Sequence, residues 1–150
     1  MVDDASYLKP EKLPTEPRIN VVRQSVNQGV GAARNTGAEM ALYSYVHFMD
    51  ADVIVAPDFL KRLFALLWQK PTAKVVQGHY SKQPANEAPS WFNHYMALSW
   101  YHESVINVDS LSHAIYINSG CVTYKKTYFL EIGGYPAEYS GSGGEEYEML

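Results

Sequence analysis

A near-continuous apolar stretch at residues 45–49 ends abruptly at Asp50-Ala51-Asp52. This pattern is typical of a strand that is buried on both faces of a mostly parallel sheet and meets solvent at its carboxyl end. In an extended backbone, residues i and i+2 project to the same face, with Cα atoms roughly 6.5 Å apart. Two carboxylates so placed could hold Mg²⁺ or Mn²⁺, which prefer oxygen ligands. The alternative for the same three residues is a polar turn.

The residues around this strand alternate between strand-like and helix-like patterns. A helix is predicted after Gly29, with Asn27 as a plausible cap, and another over residues 59–67, where apolar residues recur at helical spacing. Such alternation predicts the α/β class, with ligands bound beyond the carboxyl ends of the strands. The remaining predicted strands are 18–23, 74–78 and 114–124, and the remaining helices are 91–106, 126–132 and one starting at 145.

The composition excludes several classes of protein. Twelve Lys+Arg against sixteen Asp+Glu give a net charge of −4, which argues against nucleic acid as a partner. Cys121 is the one cysteine, so neither an intrachain disulfide nor a cysteine metal site can form. No stretch approaches the ~18 apolar residues of a membrane span. A reducing compartment is the simplest interpretation, and we expect the cytoplasm, including the inner face of the membrane.

Several motifs resemble those of the family 2 glycosyltransferases. Residues 27–37 match the family's Asn-x-Gly-x-x-x-Ala-Arg-Asn-x-Gly stretch, and residues 48–52 look like its usual acidic Asp-x-Asp segment. Residues 2–6 are similar to the Val-Asp-Asp-Gly-Ser that closes the family's second strand. Residues 132–136 resemble its Gly-Gly-Phe turn, and residues 144–148 its Gly-Glu-Asp-x-Glu segment.

The resemblance implies a fold and a domain organisation. The fold would be GT-A, the Rossmann-like fold of nucleotide-diphospho-sugar transferases, with a mostly parallel sheet flanked by helices. Residues 1–150 would form a single partial catalytic domain, truncated at both ends and without the family's first strand. Neighbouring strands would then expose unpaired backbone groups, which predicts self-association through a sheet edge.

The resemblance also implies roles for four residues that would bind the nucleotide sugar. Asp4 would accept a hydrogen bond from the nucleobase, usually uracil, and Arg34 would lie near the diphosphate. Asp50 would sit near the ribose and the metal. Asp52 would be the main protein ligand of Mn²⁺ or Mg²⁺. A metal that bridges the diphosphate stabilises the leaving group as a Lewis acid.

Two further carboxylates are implied at the acceptor side. Glu146 would be the general base that removes the proton from the acceptor hydroxyl, and Glu145 would neighbour it. Glu146 stands where the family has Asp, so its reach is longer by one methylene. A single displacement inverts the anomeric configuration, so the resemblance implies an inverting, hexosyltransferase-like enzyme of polysaccharide biosynthesis. The donor would be a UDP-sugar and the acceptor a saccharide or a lipid-linked molecule.

Other interpretations of the same residues remain open. The chain could be a GT-A module that binds a nucleotide sugar or a partner protein without turnover. It could also be a nucleotidyltransferase of related architecture. Taken alone, Glu145 and Glu146 could be solvated residues favoured by a helix dipole, Arg34 an ordinary surface residue, and Asp4 part of a frayed terminus.

Overall fold

A computed structural model describes residues 1–7, 19–50, 53–78 and 120–136. The chain divides into two compact units. The described part of the first comprises residues 1–7, 19–46 and 126–136, and that of the second comprises residues 47–50, 53–78 and 120–125. The described strands are β1 (Val2–Asp3), β2 (Val22–Arg23), β3 (Tyr45–Met49), β4 (Val75–Gln77) and β5 (Cys121–Lys125). The described helices are α1 (Val30–Met40), α2 (Phe59–Gln69) and α3 (Lys126–Glu131).

In the first unit, β1 and β2 form a parallel pair with α1 packed against β1. The register places Val2 opposite Val22. Small residues on α1 allow the helix to approach the strands closely, and a Cβ built at Gly37 would lie 3.6 Å from Val2 Cγ2. Ala32 and Ala38 of the same helix are buried.

The C-terminal end of α1 is capped by a lysine from α3. The Nζ of Lys126 donates hydrogen bonds to the carbonyl oxygens of Glu39, at 2.9 Å, and Ala41, at 2.6 Å. A cation at this end satisfies carbonyl groups that have no partner within the helix and opposes the negative end of the helix dipole. The start of α3 is thereby fixed against the end of α1.

In the second unit, the strand order is β3-β5-β4, and β4 pairs with β5 antiparallel. Val122 and Tyr124 of β5 are fully buried and form the centre of this unit. The buried Thr123 hydroxyl lies 2.8 Å from His47 Nδ1 on β3, and burial lowers the pKa of this histidine. The Asp50 N–H donates to the Gly120 carbonyl and the Lys126 N–H to the Ser44 carbonyl, so β3 and β5 also run antiparallel and the described three-stranded sheet is antiparallel.

The predicted α/β class is confirmed, and several predicted elements fall where the sequence places them. The strand predicted at 45–49 is Tyr45–Met49, and the helix predicted at 59–67 runs over Phe59–Gln69. The short helix predicted at 126–132 is Lys126–Glu131. The strand predicted at 18–23 is observed over Val22–Arg23 among its described residues. The helices predicted at 91–106 and from residue 145 lie outside the described residues.

Candidate functional site

Asp4, at the carboxyl end of β1, holds the turn that precedes α1. Its two carboxylate oxygens accept hydrogen bonds from the backbone N–H groups of Gln28, at 2.8 Å, and Gly29, at 2.7 Å. Its own carbonyl oxygen accepts a bond from Asn27 Nδ2 at 3.1 Å. Each carboxylate oxygen has a second lone pair, so these bonds leave room for a ligand donor. A nucleobase contact by Asp4 remains a prediction.

The helix start differs from the sequence expectation at Asn27. The N-cap residue of α1 is Gly29, with φ of 91° and no side-chain capping bond, so the prediction of Asn27 as the cap is wrong. The physical reason is that the Asn27 amide is engaged with Asp4 and that Asp4 fixes the two residues before the helix. A positive φ is readily adopted by glycine, which explains the residue type at position 29.

A second group of polar side chains fixes the end of β1. Arg23 Nη1 donates to Asp3 Oδ2 at 2.6 Å, and Arg23 Nη2 donates to the Ser6 carbonyl at 2.6 Å. The Ser6 N–H donates to Asp3 Oδ1 at 3.0 Å. Hydrogen bonding from Ser6, assisted by the charge of Arg23, lowers the pKa of Asp3. These contacts hold the backbone on both sides of Asp4.

Sequence reasoning missed the part that Asp3 and Arg23 play. The signal that could have found them is their position in a parallel pair, because Asp3 and Arg23 are register partners across β1 and β2. Opposite charges at facing positions of adjacent strands attract each other. The sequence pattern predicts the strand that contains Arg23 but is too short to give its register with β1. Without the register, the pairing of Asp3 with Arg23 cannot be predicted.

Arg34 and Asn35 lie next to each other on α1 and both contact Tyr135. Asn35 Nδ2 donates to the Tyr135 carbonyl oxygen, and the Tyr135 N–H donates to Asn35 Oδ1, both at 2.8 Å. The Arg34 Cζ lies 5.1 Å from the centroid of the Tyr135 ring, within the range of a cation–π contact. The motifs 27–37 and 132–136 are thus in direct contact through these three residues.

Two glycines permit this close approach. A Cβ at Gly31 would lie 3.1 Å from the Pro136 carbonyl oxygen and 3.3 Å from Tyr135 Cβ. Gly134 has φ of 71°, and a Cβ there would overlap Asn35 Oδ1. Both positions therefore require glycine for steric reasons, and Gly134 for its backbone conformation as well.

Asp50 lies at the carboxyl end of β3 in the second unit and is half-buried. Its backbone N–H donates to the Gly120 carbonyl at 3.1 Å, and its carbonyl accepts from the Val53 N–H at 3.2 Å. The strand end is as the sequence predicts. Asp52, Glu145 and Glu146, the other predicted site residues, lie outside the described residues.

The described residues contain neither a cluster of metal-binding side chains nor a helix that could span a membrane. Within residues 1–7, 19–50, 53–78 and 120–136, no three His, Cys, Asp or Glu side chains are grouped so that they could hold a metal ion. None of the helices in those ranges is long and apolar enough to cross a bilayer.

Comparison with known proteins gives a family and two distant relatives. The family model described as glycosyl transferase family 2 matches residues 2–132. The polypeptide N-acetylgalactosaminyltransferase 8 of Drosophila melanogaster is 26% identical over 99% of this chain and 28% of its own length. An uncharacterized protein, y4gI, of Sinorhizobium fredii is 22% identical over 90% of this chain and 14% of its own length.

The chain spans less than a third of the length of either relative that it matches. The family match, in contrast, covers most of the chain, from β1 through α1 and β3 to α3. The α/β architecture and the hydrogen bonds between Asn35 on α1 and Tyr135 are consistent with this match. The match identifies the chain as a member of glycosyl transferase family 2, with the GT-A fold.

Proposed function

We propose that this protein transfers a sugar from a nucleotide-diphosphate donor to an acceptor hydroxyl. The observation that carries the proposal is the bonding of Asp4 to the backbone of Gln28 and Gly29. It places the N-terminus of α1 at the carboxyl end of β1, where α/β proteins bind their ligands. Backbone N–H groups and the positive end of the helix dipole favour an anion such as a diphosphate at that point.

We propose roles for three residues in binding the donor. Asp4 accepts a hydrogen bond from the base of a UDP-sugar, and Arg34, one turn into α1, binds the diphosphate. An Arg guanidinium suits this task because it is always charged and donates from several N–H groups to phosphate oxygens. Asp50 lies near the ribose, which is consistent with its position at a strand end.

We propose that Asp52 and Asp50 hold a divalent cation at the donor. The donor set fits Mg²⁺ or Mn²⁺, because both residues offer carboxylate oxygens and Asp50 stands half-buried at the carboxyl end of β3. When bound, the ion supplies Lewis-acid stabilisation of the charge that develops on the diphosphate. Asp50 and Asp52 bind and orient it.

We propose Glu146 as the general base and Glu145 as its neighbour at the acceptor site. One carboxylate suffices to take the proton from the attacking hydroxyl, and a single displacement inverts the anomeric configuration. The acceptor is a saccharide or a lipid-linked molecule, as expected for polysaccharide biosynthesis at the inner face of a membrane. The chain has one cysteine and cannot form an intrachain disulfide, which is consistent with the reducing cytoplasm that we propose.

A donor screen tests the proposal. The protein is incubated with UDP-, GDP- and TDP-sugars, with and without Mn²⁺ and saccharide acceptors, and released nucleotide and transferred sugar are measured. We expect acceptor-dependent transfer from one nucleotide class. Donor binding without transfer would support a non-catalytic module instead. Release of pyrophosphate from a nucleoside triphosphate would support a nucleotidyltransferase.

A variant pair locates the base. We expect Glu146→Gln to keep donor affinity and to lower transfer by about 10²–10⁴-fold, the usual contribution of a general base. Glu131→Gln, at an exposed glutamate that ends α3 and lies outside the motifs, is the matched control and should transfer at the parent rate. Should Glu146→Gln also transfer at the parent rate, the base lies elsewhere and Glu145 is the next candidate.

A further inference from the structure

Tyr135 follows Asn35 by 100 residues in sequence, yet it contacts α1 through both its backbone and its ring. The Asn35 amide takes both backbone hydrogen-bonding groups of Tyr135, each at 2.8 Å. The guanidinium of Arg34 lies 5.1 Å from the centre of the Tyr135 ring. Arg34 and Asn35 are consecutive on α1: Asn35 fixes the backbone of Tyr135, and Arg34, the residue before it, contacts the ring.

The Tyr135 ring is itself immobilised. Tyr135 is 1% exposed, and its ring packs edge-on against Phe129, with centroids 5.6 Å apart. Phe129, on α3, is fully buried. The Asn35 bonds fix the backbone of Tyr135, while Phe129 limits rotation of its side chain. The ring is therefore a rigid surface for whatever lies against it.

A rigid aromatic surface changes what a neighbouring arginine can do. A free Arg side chain loses much of its rotamer entropy when a ligand orders it. Contact with an aromatic ring restricts the guanidinium before the ligand arrives, so less of that entropy is lost on binding. The guanidinium edges remain able to donate hydrogen bonds while its plane lies over the ring.

We propose that Tyr135 is a positioning residue for the donor: its ring holds the Arg34 guanidinium in the orientation that binds the diphosphate. This inference rests on the proposed function, because it requires that Arg34 contacts the donor. The inference assigns a role in donor binding to the Gly-Gly-Tyr segment at 133–135, which precedes the proposed acceptor-site residues Glu145 and Glu146 in the chain. Tyr135 itself does not touch the reacting atoms.

A fluorination series tests the ring without changing its shape. Tyr135 is replaced by Phe and then by mono-, di- and trifluorinated phenylalanine, which progressively withdraw electron density from the ring face. We expect Tyr135→Phe to resemble the parent protein. Across the series the donor KM should rise by about 3- to 10-fold in total, the range of a partly desolvated cation–π contact, while kcat changes little. Thermal melts of each protein verify that the unit stays folded.

The same series in an Arg34→Ala background is the control. There the donor KM should be high and independent of fluorination. If Arg34→Ala leaves the donor KM unchanged, the proposed role of Arg34 at the diphosphate is wrong, whatever the ring does. If Arg34→Ala raises the KM but fluorination has no effect on the parent background, the positioning role of Tyr135 is overturned and the proposed donor site stands.

Discussion

The two longest described helices are held in place by different forces. Nine of the eleven residues of α1 are Ala, Gly or polar. Two of its side chains bond residues outside the helix: Asn35 bonds Tyr135, and Thr36 accepts a hydrogen bond from Gln24 at 3.0 Å. The sequence of α2 contains seven large apolar residues among eleven. Of these, Leu67 is buried, while Leu60 is 61% and Trp68 88% exposed.

The difference shows two ways in which a helix can be fixed in a fold. Small side chains allow other backbone segments to come within hydrogen-bonding distance, so α1 is fixed by directional bonds at defined atoms. Apolar packing, as on α2, tolerates changes of shape as long as volume is kept. The proposed role of Arg34 requires a side chain at a defined point, and the directional bonds of α1 supply such a fixed position.

The largest expected effect on stability belongs to the buried position of α2. We expect Leu67→Ala to lower the free energy of unfolding by about 2–4 kcal/mol, because it removes a buried side chain and leaves a cavity. Urea denaturation measures the change. Leu60→Ala, on the same helix but largely exposed, is the control and should cost less than about 0.5 kcal/mol. Equal costs at both positions would show that the exposed residues of α2 are packed in solution.

On α1, the most sensitive position should be a polar one. We expect Asn35→Ala to cost about 2–3 kcal/mol, because the buried N–H and C=O of Tyr135 lose their partner. Asn27→Ala removes one exposed bond to the Asp4 carbonyl and should cost about 0.5 kcal/mol. If the two variants are equally stable in denaturant, α1 is not fixed by its polar ties.

Two glycines of α1 should respond in opposite directions. Gly31→Ala places a methyl group 3.1 Å from the Pro136 carbonyl oxygen, and we expect a net loss of about 1–2 kcal/mol. Gly37→Ala meets Val2 at an ordinary 3.6 Å, so the better helix propensity of alanine should make it neutral or stabilising by up to about 1 kcal/mol. Thermal unfolding distinguishes the two. A stabilising Gly31→Ala would contradict the close packing of segment 133–136 on α1.

The smallest effect is expected at Asp3 and depends on pH. Its folded-state pKa lies below the ordinary value of 3.8, so its contacts stabilise the fold above that value, and this contribution is lost as the pH falls below it. The stability difference between the parent and Asp3→Asn should therefore be constant from pH 7 to 5 and shrink between pH 4 and 2. Asp58→Asn, whose carboxylate lies 3.9 Å from Arg62 on the exposed surface of α2, is the control and should cost little stability at pH 7. A stability difference between the parent and Asp3→Asn that grows on acidification would mean that folding raises the pKa of Asp3 instead of lowering it.

Sequence patterns predicted the local elements and missed the long-range ties. The strand at 45–49 and the helix α2 each depend on neighbours in sequence, and the positions of both elements were predicted correctly. The expected burial of the strand on both faces was wrong, because Val46 is buried but His47 and Met49 are exposed. The bonds of Asp4 to Gly29 and of Asn35 to Tyr135 join residues 25 and 100 positions apart, and no local pattern encodes them. Asn27 was predicted as a cap from its residue type alone, but its amide is engaged by Asp4.

The candidate site shows the same division. The motifs located Asp4, Arg34 and Asp50, and the structure adds the contacts that hold the first two. It also adds Asp3 and Arg23, which depend on the register between β1 and β2 and so could not be found before the strands were paired. The roles of Asp52, Glu145 and Glu146 remain predictions from the family resemblance.

The most direct test of a metal-assisted nucleotide-diphosphate site is a calorimetric titration of UDP into the protein, with and without Mn²⁺. We expect binding that strengthens with Mn²⁺, that Asp52→Ala abolishes and that Asp50→Ala weakens, and thermal melts verify that each variant is folded. Asp58→Asn, on the surface of the same unit, should bind as the parent does. Mn²⁺-dependent UDP affinity that is unchanged in Asp52→Ala would contradict the proposed site.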